Sequence, residues 1–168
     1  MIIDIDLSQK SVSKAIEQLK KYRDSLTDKN ELFLRRLSEV GIDVIEQKIS
    51  DARGDSDKSH DVTLKVHSFG DYSEATLTVM GNDILFIEFG AGSHYNPSNT
   101  EHASKFGYGI GTYPGQTHAF DPDGWWYRDD TGAPQHSYGT EASMPMLNAS
   151  RAIILTIRKI AREVYGSN

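Results

Sequence analysis

Glu88 is the residue whose setting most invites chemistry. It is a carboxylate inside the apolar run Ile84-Leu85-Phe86-Ile87-Glu88-Phe89, directly before Gly90-Ala91-Gly92. A half-buried carboxylate in such a place can serve as a general base with a raised pKa. It can equally accept hydrogen bonds from backbone N–H groups of the glycine turn, and structural roles of this kind perturb carboxylates as well. The histidines His94, His102, His118 and His136, with Glu101, Asp121 and Asp123, could be drawn together as metal ligands. Their spacing argues against it, because no His-x-x-x-His or His-Glu-x-x-His pair lies on a helix. Solvated loop histidines are the expectation.

Other chemistries find less support. Gly107-Tyr108-Gly109-Ile110-Gly111 is glycine-rich, but no Lys-Ser or Lys-Thr follows it, so a phosphate-cradling loop is not expected. No Gly-x-Ser-x-Gly surrounds Ser143 or Ser150. The absence of cysteine removes disulfides, thiol catalysis and cysteine-ligated zinc. We expect no enzyme activity, no cofactor and no bound metal. The alternative is a metal-assisted hydrolase built on Glu88, His94, His118 and Asp121. Trp125-Trp126-Tyr127 has the rings of a base-stacking platform, but aspartates at 121, 123, 129 and 130 flank it where a nucleic-acid groove would be basic. Protein contact suits these rings better.

The elements that must position these residues follow from periodicity. Ile3, Ile5 and Leu7 alternate with polar residues as in a short strand. Ser11 or Ser13 caps a short helix carrying Val12, Ile16, Leu19, Tyr22 or Arg23, and Leu26. A second, longer helix is expected from about Lys29 to about Ala52, started by Thr27 or Asp28 with Glu31 in capping-box range. Its core face is Leu34, Leu37, Gly41, Val44, Ile45 and Ile49. Arg53 to Lys58 is an exposed turn whose Arg-Gly-Asp tripeptide is a chance match.

Three strands are expected next as an antiparallel meander: Val62 to Val66, Ala75 to Val79, and Ile84 to Phe89, the last central and covered on both faces. His67 should face solvent beside Lys65. Between residues 90 and 143 lies a long loop holding nine of the fourteen glycines and both tryptophans, a composition unlike a flexible linker. Gly124 to Arg128 is expected to return to the sheet as a fourth strand. The last helix spans about Pro145 to Tyr165, capped by Ser143 with Pro145 in the first turn. Leu147, Ile153 or Ile154, Ile157, Ile160 or Ala161, and Val164 form its buried stripe.

The expected fold is therefore α+β: a small antiparallel sheet of about four strands, a long helix before it, a C-terminal helix after it, and a long Gly/Pro/aromatic loop. The chain divides into an N-terminal extension, 1–28, and a single domain, 29–168. At 168 residues this domain can build a core without staples. The N-terminus lacks a secretion signal and the longest apolar run, Ala152 to Leu155, is far below the roughly 20 residues of a spanning helix, so a soluble protein is expected. Net charge is −6, and residues 61–140 carry 3 basic against 10 acidic groups while 141–168 carry 4 against 2. Tight binding to a phosphate backbone is not expected of such a chain.

Taken in order, Phe86-Ile87-Glu88-Phe89-Gly90-Ala91-Gly92, Gly111-Thr112-Tyr113-Pro114, Gly124-Trp125-Trp126-Tyr127, Tyr138-Gly139-Thr140 and Met144-Pro145-Met146-Leu147-Asn148-Ala149 resemble the tail-component family of long-tailed bacteriophages and prophages, the neck or tail-completion proteins. The resemblance covers about residues 30–165. Ala91 stands where the family often has Thr, and Asn148 where many members have a second Pro. It implies a structural virion protein, made in the host cytoplasm, that forms a ring joining the connector to the tail tube. Its implied partners are further copies of itself and head-closure, tail-tube or tail-terminator proteins, with DNA passing through unheld. The candidate interface residues are Glu88, Tyr113, Trp125, Trp126, Tyr127, Arg151, Arg158 and Arg162.

Overall fold

The computed structural model describes residues 4, 6, 8–53, 60–81, 83–92, 100–106, 121–129 and 131–166. Its elements are α1 (Gln9–Arg53), β1 (His60–Ser68), β2 (Ser73–Gly81), α2 (Ile84–Phe89), α3 (Thr100–Lys105), β3 (Trp125–Arg128), β4 (Pro134–Ser137) and α4 (Pro145–Tyr165). The architecture is α+β. The expected strand at Ile3, Ile5 and Leu7 and the Arg-Gly-Asp turn lie outside the described residues, apart from Arg53 at the end of α1.

The two N-terminal helices expected from the sequence are one helix of 45 residues. Thr27 does not cap a second helix; its hydroxyl donates to the Arg23 carbonyl at 3.3 Å, one turn back, so the helical ladder runs through it. The start also lies earlier than Ser11 or Ser13. Ser8 caps α1, its hydroxyl accepting the Ser11 N–H at 3.2 Å.

Beyond residue 30 the helix carries the core. Ile45 and Ile49 are fully buried and join Ile87 and Ala149, with Val62, Leu77, Val79 and Met146 packed around them. Leu37, Ile160 and Val164 form a second cluster with Phe33, Val40 and Ile153. Gly41 lies between them. A Cβ there would stand 2.9 Å from both Ile153 Cδ1 and Leu77 Cδ1, so its absence lets α4 and β2 approach α1 together. The far end of α4 is fastened by Tyr165, whose hydroxyl donates to Asn30 at 2.7 Å, and by Arg36 with Glu163 at 3.2 Å.

β1 and β2 form the expected hairpin, with Leu64 opposite Leu77 and Val62 opposite Val79. Their alternation is borne out: Ala75, Leu77 and Val79 face inward while Glu74, Thr76, Thr78 and Met80 face out, and His67 is exposed. The third strand is not. Ile84 to Phe89 is helix, with Ile87, Glu88 and Phe89 all buried. A strand would send Ile87 and Glu88 to opposite faces, whereas a helical turn sets successive side chains about 100° apart. Ile87 thereby enters the core while Glu88 reaches the start of α4.

β3 forms where a fourth strand was expected, but it does not rejoin the first sheet. It pairs with β4, Trp126 opposite His136 and Tyr127 opposite Gln135, so the described residues form two sheets of two strands instead of one of four. The glycine turn and the returning chain meet in a bridge: Ala91 N–H donates to the Thr140 carbonyl at 2.9 Å and Thr140 N–H to the Ala91 carbonyl at 2.8 Å. In α4 the inward choices are Ile153, Ile160 and Val164. Ile154 and Ile157 point outward instead.

Candidate functional site

α4 begins without a cap of its own. Met144, at its N-cap, has a left-handed backbone with φ 53° and no capping side chain, and Pro145 follows at the first position. Ser143, expected as the cap, turns its hydroxyl to the Lys48 carbonyl at 2.9 Å. Glu88 does the capping from 58 residues away. Its Oε2 accepts the Met146 N–H at 2.8 Å and its Oε1 the Leu147 N–H at 3.2 Å, the two donors that a capping side chain normally takes. The carboxylate also sits at the positive end of the helix dipole. Asn148 completes the turn by donating its side-chain N–H groups to the Ser143 and Met144 carbonyls at 3.1 and 2.9 Å.

The third partner of Glu88 is His102, whose Nε2 lies 2.6 Å from Oε1. The solvated-histidine expectation fails here, since the side chains of His102 and Glu88 are only 11% and 7% exposed. α3 delivers it: Glu101 and Lys105 pair at 3.0 Å one turn apart, and His102 stacks on Phe89 with ring centres 5.1 Å apart. Phe106 closes on both rings, at 5.6 Å from Phe89 and 5.4 Å from His102. The signal in the sequence was the Glu101–Lys105 spacing, which marks one helical turn. The donors described at this carboxylate hold α2, α3 and α4 together. Taking a proton from a substrate would require dismantling the cap, so the structural reading of Glu88 is the one this geometry supports, with the helix N-terminus as donor in place of the glycine turn.

The remaining rings are on the β3–β4 hairpin. Strand alternation separates the two tryptophans. Trp125 turns in, against Gly92, and lines a cavity of about 550 Å³ with Ala52, Phe86, Tyr127 and Thr140. Trp126 turns out and is 71% exposed. It meets His136 edge-on at 4.8 Å, and His136 meets Tyr138 in the same manner at 4.6 Å, giving a ladder of three rings on the solvent face. His136 was expected to be a solvated loop histidine and Tyr138 part of the long loop; no second strand was expected here. Their alternation with Gln135 and Ser137 was the available signal.

Acidic groups frame this ladder. Asp121 closes the entering turn, accepting the Asp123 N–H at 3.2 Å. Asp129 closes the tip: its Oδ1 accepts the Thr131 N–H at 2.9 Å, the Thr131 hydroxyl at 2.6 Å and the Ala133 N–H at 3.0 Å. The Thr131 hydroxyl foremost, then Gln135 and the two backbone N–H groups, hold the Asp129 carboxyl below its ordinary value.

The outer face of α4 has the opposite character. Arg151, Arg158 and Arg162 are exposed. Among them lie Ile154 and Leu155, 64% and 82% exposed. Spacings of three, four and seven residues put these five on one side of the helix. Lys105, by hydrogen bond and charge, holds the Glu101 carboxyl low, and the Arg151 charge adds to this.

Of the other candidates, Tyr113, His94 and His118 lie outside the described residues. Asp121 is on an exposed turn and Glu88 is buried. Among the described residues no group of three or more His, Asp or Glu is placed to hold a metal ion, and no helix is long and apolar enough to cross a membrane. The chain matches no protein-family model, no curated protein and no solved structure.

Proposed function

We propose that the protein is a structural component of the head–tail junction of a phage or phage-like particle, assembling into a ring between connector and tail tube. The order of motifs described above supports this reading. So does one observation that carries it: a ring-bearing, acidic hairpin and a basic, apolar helix face coexist as separate exposed surfaces of one subunit. A closed ring requires two different complementary patches per subunit. Trp126, His136 and Tyr138 are the rings of one patch; Arg151, Ile154, Leu155, Arg158 and Arg162 form the other. Aromatic and Arg side chains are the types that dominate interface energies. The Glu88 clamp has a role in this scheme, since it fixes the start of α4 to the chain segment from which the hairpin departs. The acidic surplus of the middle of the chain suits a channel that DNA crosses without being gripped.

The test is assembly. Particles produced without this chain should accumulate as unjoined heads and tails, and adding back the purified protein should restore joining. Trp126→Ala should fold and fail to restore it. Normal joining in the absence of the chain would refute the reading.

A further inference from the structure

β2 and β3 are both edge strands. Among the described residues, β2 hydrogen-bonds only to β1 and β3 only to β4, which leaves each with one row of backbone N–H and C=O groups facing outward. Such an edge is a template for a further strand, and a sheet of two strands is marginal by itself. The surface beside β2 is unfinished as well. Val62, Leu77 and Val79 cover Ile45 and Ile49 of α1, but the outer side of α4 has no layer over it, and Ile154, Leu155 and Ile157 are exposed there. Between β2 and α4 lies a cavity of about 300 Å³, with Leu34, Ser38, Ala75, Leu77, Ser150 and Ile154 in its walls. Folded interiors are packed without gaps of this size.

What covers this surface must bring a free strand edge and an uncovered apolar face. β1 and β2 of another copy bring no such face, because Val62, Leu77 and Val79 are packed in their own core. The β3–β4 hairpin brings both. Trp126, His136 and Tyr138 stand as a ladder of rings on its solvent side, and the edge of β3 is open. Within one subunit β3 is held elsewhere, with Trp125 and Ala52 on a different cavity and the Ala91–Thr140 bridge behind it. We propose that β3 of one copy adds to the open edge of β2 in the next, laying Trp126, His136 and Tyr138 over Ile154, Leu155 and Ile157 of its α4. The two sheets of two strands then become one sheet of four across the interface, covering α1 and α4 together. This rests on the ring reading and names the contact that makes the ring. The strand joins two different patches, so repeating the contact closes a ring instead of stopping at a dimer.

Charge agrees on both sides. α4 presents Arg151, Arg158 and Arg162 around Ile154 and Leu155. Its one carboxylate, Glu163, is turned away to Arg36 at 3.2 Å. Glu101 of α3 already feels the Arg151 charge, which leaves Arg158 and Arg162 for the partner. The hairpin exposes Asp121, Asp123 and Glu141 where its strands enter and leave. At its tip Arg128 donates to the Gly132 carbonyl at 2.7 Å beside Asp129, so that end is close to neutral. The outer face of the receiving sheet carries Asp61 and Glu74 with Lys65 and His67, and Glu74 stands opposite His67. The net pairing is therefore an acidic hairpin base on a basic helix face.

The experiment mixes two full-length variants with complementary defects. Trp126→Ala keeps the β2 edge and the α4 face, and Ile154→Asp keeps the hairpin; both changes are at exposed positions and should leave the circular dichroism unchanged. Sedimentation should show each variant monomeric where the wild type forms rings, and the mixture stopping at a one-to-one dimer. Arg158→Glu with Arg162→Glu should weaken wild-type association at least about tenfold, and adding Asp121→Lys with Asp123→Lys should restore it. In joined particles, a photoreactive benzoylphenylalanine at Leu155 should crosslink to residues 121–138 of an isotopically distinct copy. Rings that survive both single variants, or a crosslink from position 155 to another segment of the chain, would overturn the strand contact and leave the ring reading standing. A wild type that stays monomeric and crosslinks only to a different protein would overturn both.

Discussion

Glu88 Oε2 and the Met146 backbone N–H are 2.8 Å apart, a hydrogen bond that closes 58 residues of chain and starts the C-terminal helix with a side chain from another element. The helix has no local substitute, because Ser143 faces Lys48 and Met144 has no capping group. Glu88→Ala should therefore leave two helix N–H groups and His102 without their acceptor, at a cost of about 2–4 kcal/mol. Glu88→Gln should cost less, since one amide oxygen still accepts. Urea unfolding of the three proteins would show the order, and an alanine variant as stable as wild type would remove Glu88 from its assigned role.

Gly139 and Gly132 both have positive φ, 115° and 82°, but only one is crowded. A Cβ at Gly139 would lie 2.2 Å from the Ala91 carbonyl oxygen, at the bridge that joins the hairpin to the glycine turn, whereas nothing lies within 4 Å of one at Gly132. Gly132→Ala should cost about 1–2 kcal/mol, the backbone strain alone. Gly139→Ala adds a backbone clash of the kind that costs about 1–3 kcal/mol more and should shift the Trp125 environment. Thermal melts and near-ultraviolet circular dichroism would separate the two variants.

Asp129 makes the tip of the hairpin sensitive to acid. Its folded pKa lies below the ordinary 3.8, chiefly through the Thr131 hydroxyl. The carboxylate's contribution to the turn is thus complete well above that value and is lost as pH falls through the lower folded pKa. The Thr131 amide resonance should move over this acid range and stay constant toward neutrality. In Asp129→Asn the same resonance should show no such transition.

Ile45 and Leu19 test where α1 is core and where it is surface. Ile45 is 0% exposed and Leu19 53%. Ile45→Ala should destabilise by about 2–5 kcal/mol, whereas Leu19→Ala should stay within about 0.5 kcal/mol of wild type. A large effect at Leu19 in dilute monomeric protein would mean that the extension is already buried by its own chain.

Elements whose pattern is local and long could be read from the residues alone. The stripe Leu34, Leu37, Gly41, Ile45 and Ile49, the alternation of β1 and β2, and the extent of α4 are legible because each repeats one period over several turns or pleats. The ring-rich strand at Trp125 was legible from composition instead, since large rings favour a pleated, half-buried surface. Tertiary structure decided what local pattern leaves open. Six apolar residues, Ile84 to Phe89, suit a buried strand and a buried helical turn alike, and packing against α1 and α4 selects the helix. The pairing of β3 with β4, and the turning of Trp126 out and Trp125 in, depend on a strand register that propensity does not encode. The partners of Glu88 are the clearest instance. His102 and Met146 lie 14 and 58 residues away in sequence, and only the folding of α3 and α4 onto α2 brings those donors to one carboxylate.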